Sequence, residues 1–115
     1  YCEDNPLVTP FLDRFERRFG RRPHTNTVLT LSYDSARVFV EAIVRAPILT
    51  GPGIRQGLER LRFLPSVTGG PRTHMSLGPW DHKAYKGDWL VIRKIVDGRT
   101  VWVDLHDPSG VGVPR

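Results

Sequence analysis

The chain has 115 residues, with 17 Lys and Arg against 12 Asp and Glu, and a net charge of +5. Hydrophobic residues make up 39%, aromatic 10% and charged 25%, which fits one globular domain and argues against a disordered chain. A single cysteine, Cys2, excludes an internal disulfide and every zinc site that needs two thiolates.

The apolar-rich stretch 28–46 is interrupted by Asp34, Arg37, Glu41 and Arg45, so no run reaches the ~18 apolar residues of a membrane span. No basic-then-apolar leader opens the chain, and its one methionine is Met75, so Tyr1 is not expected to be a natural start.

In chain order, Asn5-Pro6 reads as an N-cap with proline at the first helical position. Val8, Phe11, Leu12, Phe15 and Phe19 then recur at helical spacing, and Gly20 stops the run, which predicts a helix over 6–19. A second helix is predicted over 27–46. Leu29, Tyr33, Ala36, Val40, Ile43 and Val44 form one face; Leu31, Val38, Phe39 and Ala42 widen the belt, as in a helix buried between layers. Pro47 ends it. Thr50-Gly51-Pro52-Gly53 caps a third helix over 52–62, with Ile54, Leu58 and Leu61 on one face and Gly57 as a weak spot. Residues 65–71 read as a loop, 73–77 as a short strand and 78–87 as a long loop. Asp97-Gly98 between β-rich runs is the signature of a type I′ hairpin, with strands at 89–96 and 99–105. That turn pairs Val96 with Arg99, sets Arg93 opposite Trp102, and brings Trp89 near Leu105 or His106. The tail from 106 is expected to fray.

No constellation for catalysis stands out. There is no Gly-x-Ser-x-Gly, and Asp81-His82 are loop neighbours that need not face each other. His24, His74, His82 and His106 lack the spacing of compact metal sites. The run 51–57 only imitates a phosphate loop, since Pro52 removes an N–H. Arg14, Arg17, Arg18 and Arg21 fall within roughly 100° of arc on the first helix, a stripe that suits nucleic-acid phosphates or, more simply, a solvated face. Trp80, on a loop, is placed to touch a ligand or an interface.

Taken in order, Asn5-Pro6, the amphipathic helix, Phe19-Gly20-Arg21-Arg22-Pro23, Leu31-Ser32-Tyr33-Asp34-Ser35-Ala36, Ile54-Arg55-Gln56-Gly57-Leu58, Pro79-Trp80-Asp81-His82 and the Asp97-Gly98 hairpin form a recognisable series. It resembles the C-terminal third of the type I periplasmic solute-binding proteins, the Leu/Ile/Val-binding family of ABC importers, over about residues 3–103. Phe19 stands where that family has Tyr, and Ser35 where it has Ala. The resemblance implies an α/β class, part of a two-lobe periplasmic-binding-protein type I fold. It implies a first-lobe segment at 1–78, a hinge crossover at 79–88, a second-lobe hairpin at 89–105 and a tail at 106–115. It implies a ligand cleft lined by Val28, Leu29, Thr30 and Tyr33, and no catalytic, metal or cofactor group; Trp80, from its loop position, is a further candidate ligand contact.

The implied partners are a small polar solute, such as a branched-chain or other amino acid or an amide, and the membrane permease of an ABC transporter. The implied setting is periplasmic or extracellular, and membrane-associated in the parent. A ligand sensor of the same fold, not coupled to transport, is one alternative. A small basic nucleic-acid-binding module, resting on the net charge and the arginine stripe, is another of a different class. If the second helix lines a cleft, Tyr33 is partly accessible; if it is core, Tyr33 lies buried beneath the first helix. The wide apolar belt of that helix also predicts that the 115-residue chain pairs as a homodimer or swapped assembly rather than standing alone.

Overall fold

The computed structural model describes residues 2–104. Three helices precede two small antiparallel sheets, a mixed α and β content.

The first helix, α1 (Val8–Phe19), ends at Gly20, whose N–H reaches the Glu16 carbonyl at 2.7 Å. It starts two residues later than expected. Asn5 Oδ1 makes the local bond, accepting from Leu7 N at 3.0 Å, while its Nδ2 donates to Ser66 O at 2.9 Å and ties the helix entry to the 66–70 loop. Pro10 sits in the first turn, where a missing N–H leaves no intrahelical bond unmade.

The second helix, α2 (Asn26–Arg45), is the longest, at 20 residues. It stops where Pro47 forces Ala46 into extended backbone (ψ 128°). The third, α3 (Gly51–Glu59), begins with Thr50 Oγ1 accepting from Gly53 N at 3.3 Å. It closes three residues short of the expected 62, yet Leu61 is fully buried just beyond it.

Strands β1 (Leu64–Pro65), β2 (His74–Met75) and β3 (Tyr85–Lys86) form one sheet in that order, with Leu64 opposite Met75 and Met75 opposite Tyr85. Pro65 lies on the edge strand, where its missing N–H costs no ladder bond. Residues 85–86, expected in a long loop, thus pair with the short strand expected over 73–77.

Strands β4 (Arg93–Val96) and β5 (Arg99–Trp102) form the hairpin in the expected register, Val96 opposite Arg99 and Arg93 opposite Trp102. Asp97 (φ 48°) and Gly98 (φ 74°) both take the positive φ that a type I′ turn requires. The first strand is shorter than the expected 89–96. Gly70 N donates to Asp88 O at 2.8 Å, so the chain at Asp88 is held against the 66–70 loop rather than in the ladder. The expected partners of Trp89, and the tail from 106, lie outside the described residues.

The buried apolar core is small: Cys2, Val8, Phe11, Ala42, Leu61, Val67 and Met75. The molecule is a slab of 54 × 39 × 17 Å, and its radius of gyration of 16.5 Å exceeds the ~13 Å of a compact domain this long.

Candidate functional site

Two features meet at the N-terminal half of α2. One is a buried polar knot beneath it; the other is an open groove above it.

The knot is centred on Asp34, which is fully buried. Its carboxylate accepts from Ser66 Oγ at 2.6 Å, Val67 N at 3.1 Å and Thr68 N at 3.0 Å. Arg37 Nη1 lies 3.9 Å from it and donates to Pro65 O at 2.6 Å. Asn5 closes the other side of the same loop through Ser66 O and, more weakly, Gly69 O at 3.3 Å and Gly70 O at 3.4 Å. A buried charge is tolerated where several donors converge on it, and the loop 66–70 supplies them. One turn of α2 is thereby locked to β1 and the loop that follows it.

Tyr85, on β3, faces the knot from below, against the Thr68 and Asp34 side chains. Burial pushes its hydroxyl above the ordinary 10.0; Thr68 draws it back, and the Asp34 charge adds to the rise. The folded protein therefore holds this proton longer than the unfolded chain. The associated stability is fully present below the unfolded value near 10 and is lost as pH rises through the higher folded value. Tyr85→Phe is expected to remove that alkaline loss, read as a flatter urea-midpoint profile between about pH 9 and 11. An unchanged profile would contradict the assignment.

The groove, of about 410 Å³, lies between α1 and the start of α2 and is lined by Phe11, Arg14, Phe15, Arg18, Phe19, Leu29, Ser32 and Tyr33. The Phe11 and Tyr33 rings meet at 4.6 Å, as do those of Phe15 and Phe19 at 4.5 Å. Arg14 Nη2 reaches the Tyr33 hydroxyl at 3.5 Å, and the Arg18 guanidinium lies 5.7 Å from the Phe19 ring centre. Arg22 takes both acids of α1, Asp13 and Glu16, each at 2.6 Å. Arg14, Arg17 and Arg18 are left without a carboxylate partner among the described residues.

Of the expected ligand contacts, Leu29 and Tyr33 line this groove, and Tyr33 is half-buried. Val28 points out into solvent beside them. Thr30 faces the opposite way, fully buried, with Oγ1 donating to Thr27 O at 3.1 Å. Trp80, in the turn 78–81, is 98% exposed and is not among the groove residues. Phe11, Phe15, Phe19 and Ser32 were not singled out as site residues, although the phenylalanines were visible as one face of α1.

Asp81 and His82 do not face one another. Asp81 accepts from Lys86 Nζ at 2.6 Å, whereas His82 Nε2 lies 3.4 Å from Glu59 Oε1. Among the described residues no group of three His, Cys, Asp or Glu side chains is placed to hold a metal ion, and no helix is long and apolar enough to cross a membrane.

Comparison of the chain with protein-family models, with curated proteins and with solved structures gave no match.

Proposed function

We propose that the chain is the C-terminal part of an extracytoplasmic solute-binding protein of the Leu/Ile/Val-binding type. Its whole would bind a small polar solute such as an amino acid or amide between two lobes and deliver it to the permease of an ABC importer. The order and spacing of the motifs from Asn5 to Gly98 support the reading from the sequence. The observation that carries it is the pair Tyr33-Asp34. Tyr33 stands half-open in a groove, while the next residue is buried and fixed by three donors.

A recognition aromatic works best when its backbone cannot shift, because ordering it on binding then costs little. Cleft closure, not bond-making, would be the event coupled to the permease, with affinity drawn from a concave site and a few placed polar groups.

Isothermal titration of the whole protein against a panel of amino acids and amides tests this. One or more solutes are expected to bind, and Tyr33→Ala to weaken that binding about tenfold, or about 1.4 kcal/mol. Heat-silent mixing with every small polar solute would sink the reading.

A further inference from the structure

The amphipathic pattern of α2 is turned inside out. Thr30 and Asp34 are buried, and Arg37 and Glu41 lie half-buried on the same side, toward the 66–70 loop and α3. Val28, Ala36, Phe39, Val40 and Val44 are exposed, and at ~100° per residue they cover roughly 160° of arc. Phe39 and Val40 are 55% and 57% exposed, and Val44 is 74%.

A solvent-facing helix side is ordinarily polar. Here Val28, Phe39, Val40 and Val44 face water, while charged Asp34 joins Ala42 on the side that faces the protein. The arc runs into the aromatic groove over α1, and exposed Ile48 and Leu49 follow its C-terminal end. Together they expose apolar surface on the order of 800 Å², the one-sided area of a standard interface.

We infer that in the 115-residue chain this face is covered by a second copy of itself, through an antiparallel α2–α2 contact about a two-fold axis. Two observations select that arrangement. Residues 105–115 supply only Leu105, Val111 and Val113 as aliphatic side chains, too few to cover the face from within the chain. Charge then sets the direction. Arg14 and Arg18 line the groove beside the N-terminal half of α2; a parallel pair would bring both clusters together. An antiparallel pair holds them apart by about the length of the helix, ~30 Å, beyond the ~8–10 Å screening distance.

Ala36 lies at the middle of the arc and midway between Val28 and Val44, so the axis passes beside it. Its small side chain permits helix axes ~8–10 Å apart. The inference does not rest on the solute-binding reading. A monomer would overturn the pairing and leave the titration untouched, and a titration without heat would leave the pairing untouched.

Light scattering on the purified chain is expected to give twice its 13.1 kDa mass at ~50 µM, above the dissociation constant of a standard interface. Val40→Asp is expected to return it to 13.1 kDa with unchanged helical circular dichroism, since Val40 is 57% exposed within its own copy. Cross-linking gives a second readout. In a Cys2→Ala background, Ala36→Cys is expected to oxidise to a self-disulfide. Val28→Cys is expected to cross-link only when mixed with Val44→Cys. A 13.1 kDa monomer for the unaltered chain, a dimer insensitive to Val40→Asp, or self-linking of Val28→Cys as fast as Ala36→Cys would each overturn the inference.

Discussion

Replacing Asp34 with alanine is expected to lower the unfolding free energy by about 3–5 kcal/mol, a large part of a small domain's ~5–15 kcal/mol. The side chain is fully buried and accepts from one hydroxyl and two backbone N–H groups within 3.1 Å. Truncation leaves Val67 N facing a cavity and takes the charge from the Arg37 side, while Thr68 N keeps Ser66 Oγ at 2.9 Å. An orphaned buried donor costs about 1–3 kcal/mol, and the loss of a buried charge partner adds to it. Asp34→Asn is expected to fall between, because its amide nitrogen must point one donor at another. Asp13→Ala serves as the contrast. Its ion pair with Arg22 is exposed on both sides, and such pairs contribute about 0–1 kcal/mol. Urea unfolding of the three variants reads the order directly. An Asp34→Ala midpoint no lower than that of Asp13→Ala would mean the knot is not what joins α2 to the 66–70 loop.

The second large effect is at Gly57, where alanine is expected to destabilise by about 3 kcal/mol or more, against its intrinsic preference. In a free helix, Gly→Ala gains about 1 kcal/mol. Here a Cβ at Gly57 would lie 2.0 Å from Ala42 O, 3.0 Å from Ala42 C and 3.1 Å from Ala46 N. All three are backbone atoms of α2 or its cap, so no side chain can turn aside. Gly53, one turn earlier, meets Ile48 O in the same way at 2.0 Å. Gly57 lets α3 lie directly on the α2 backbone, Gly53 lets it close on the connection at Ile48, and alanine at 57 forces the helices apart. Thermal melts compare the variant with Gly51→Ala, where a Cβ meets nothing within 4 Å. A Gly57→Ala protein that melts higher than the parent would refute the close approach.

Gly57 shows where reading the chain falls short. In sequence it is a weak spot in a helix predicted over 52–62. In space it is the condition for the α2–α3 crossing, because clearance between two backbones depends on a partner helix that local pattern does not name. Asn5 is a similar case. Its position before Pro6 has the form of a cap, and its Oδ1 does accept from Leu7 N, but its Nδ2 donates to carbonyls more than sixty residues away. Local pattern names the first bond; only tertiary placement supplies the second. The groove was half legible: Leu29 and Tyr33 are in it, Thr30 is one residue away on the buried side, and Trp80 stands in a separate turn.

What the sequence determined by itself was everything governed by neighbours along the chain. The 3.6-residue spacing of Phe11, Phe15 and Phe19 made α1. The stop at Pro47 ended α2. The Asp97-Gly98 dipeptide made the hairpin and its register, since only residues tolerant of positive φ close a two-residue turn. Tertiary structure alone decided which side of α2 faces inward. Hydrophobic periodicity predicts that the apolar arc is buried; here the donors of the 66–70 loop claim the polar side of the helix through Asp34 and Arg37. A buried carboxylate without its donors costs more than exposed valines lose, so the helix turns its charged side inward and leaves Val28, Phe39, Val40 and Val44 to be covered by something else.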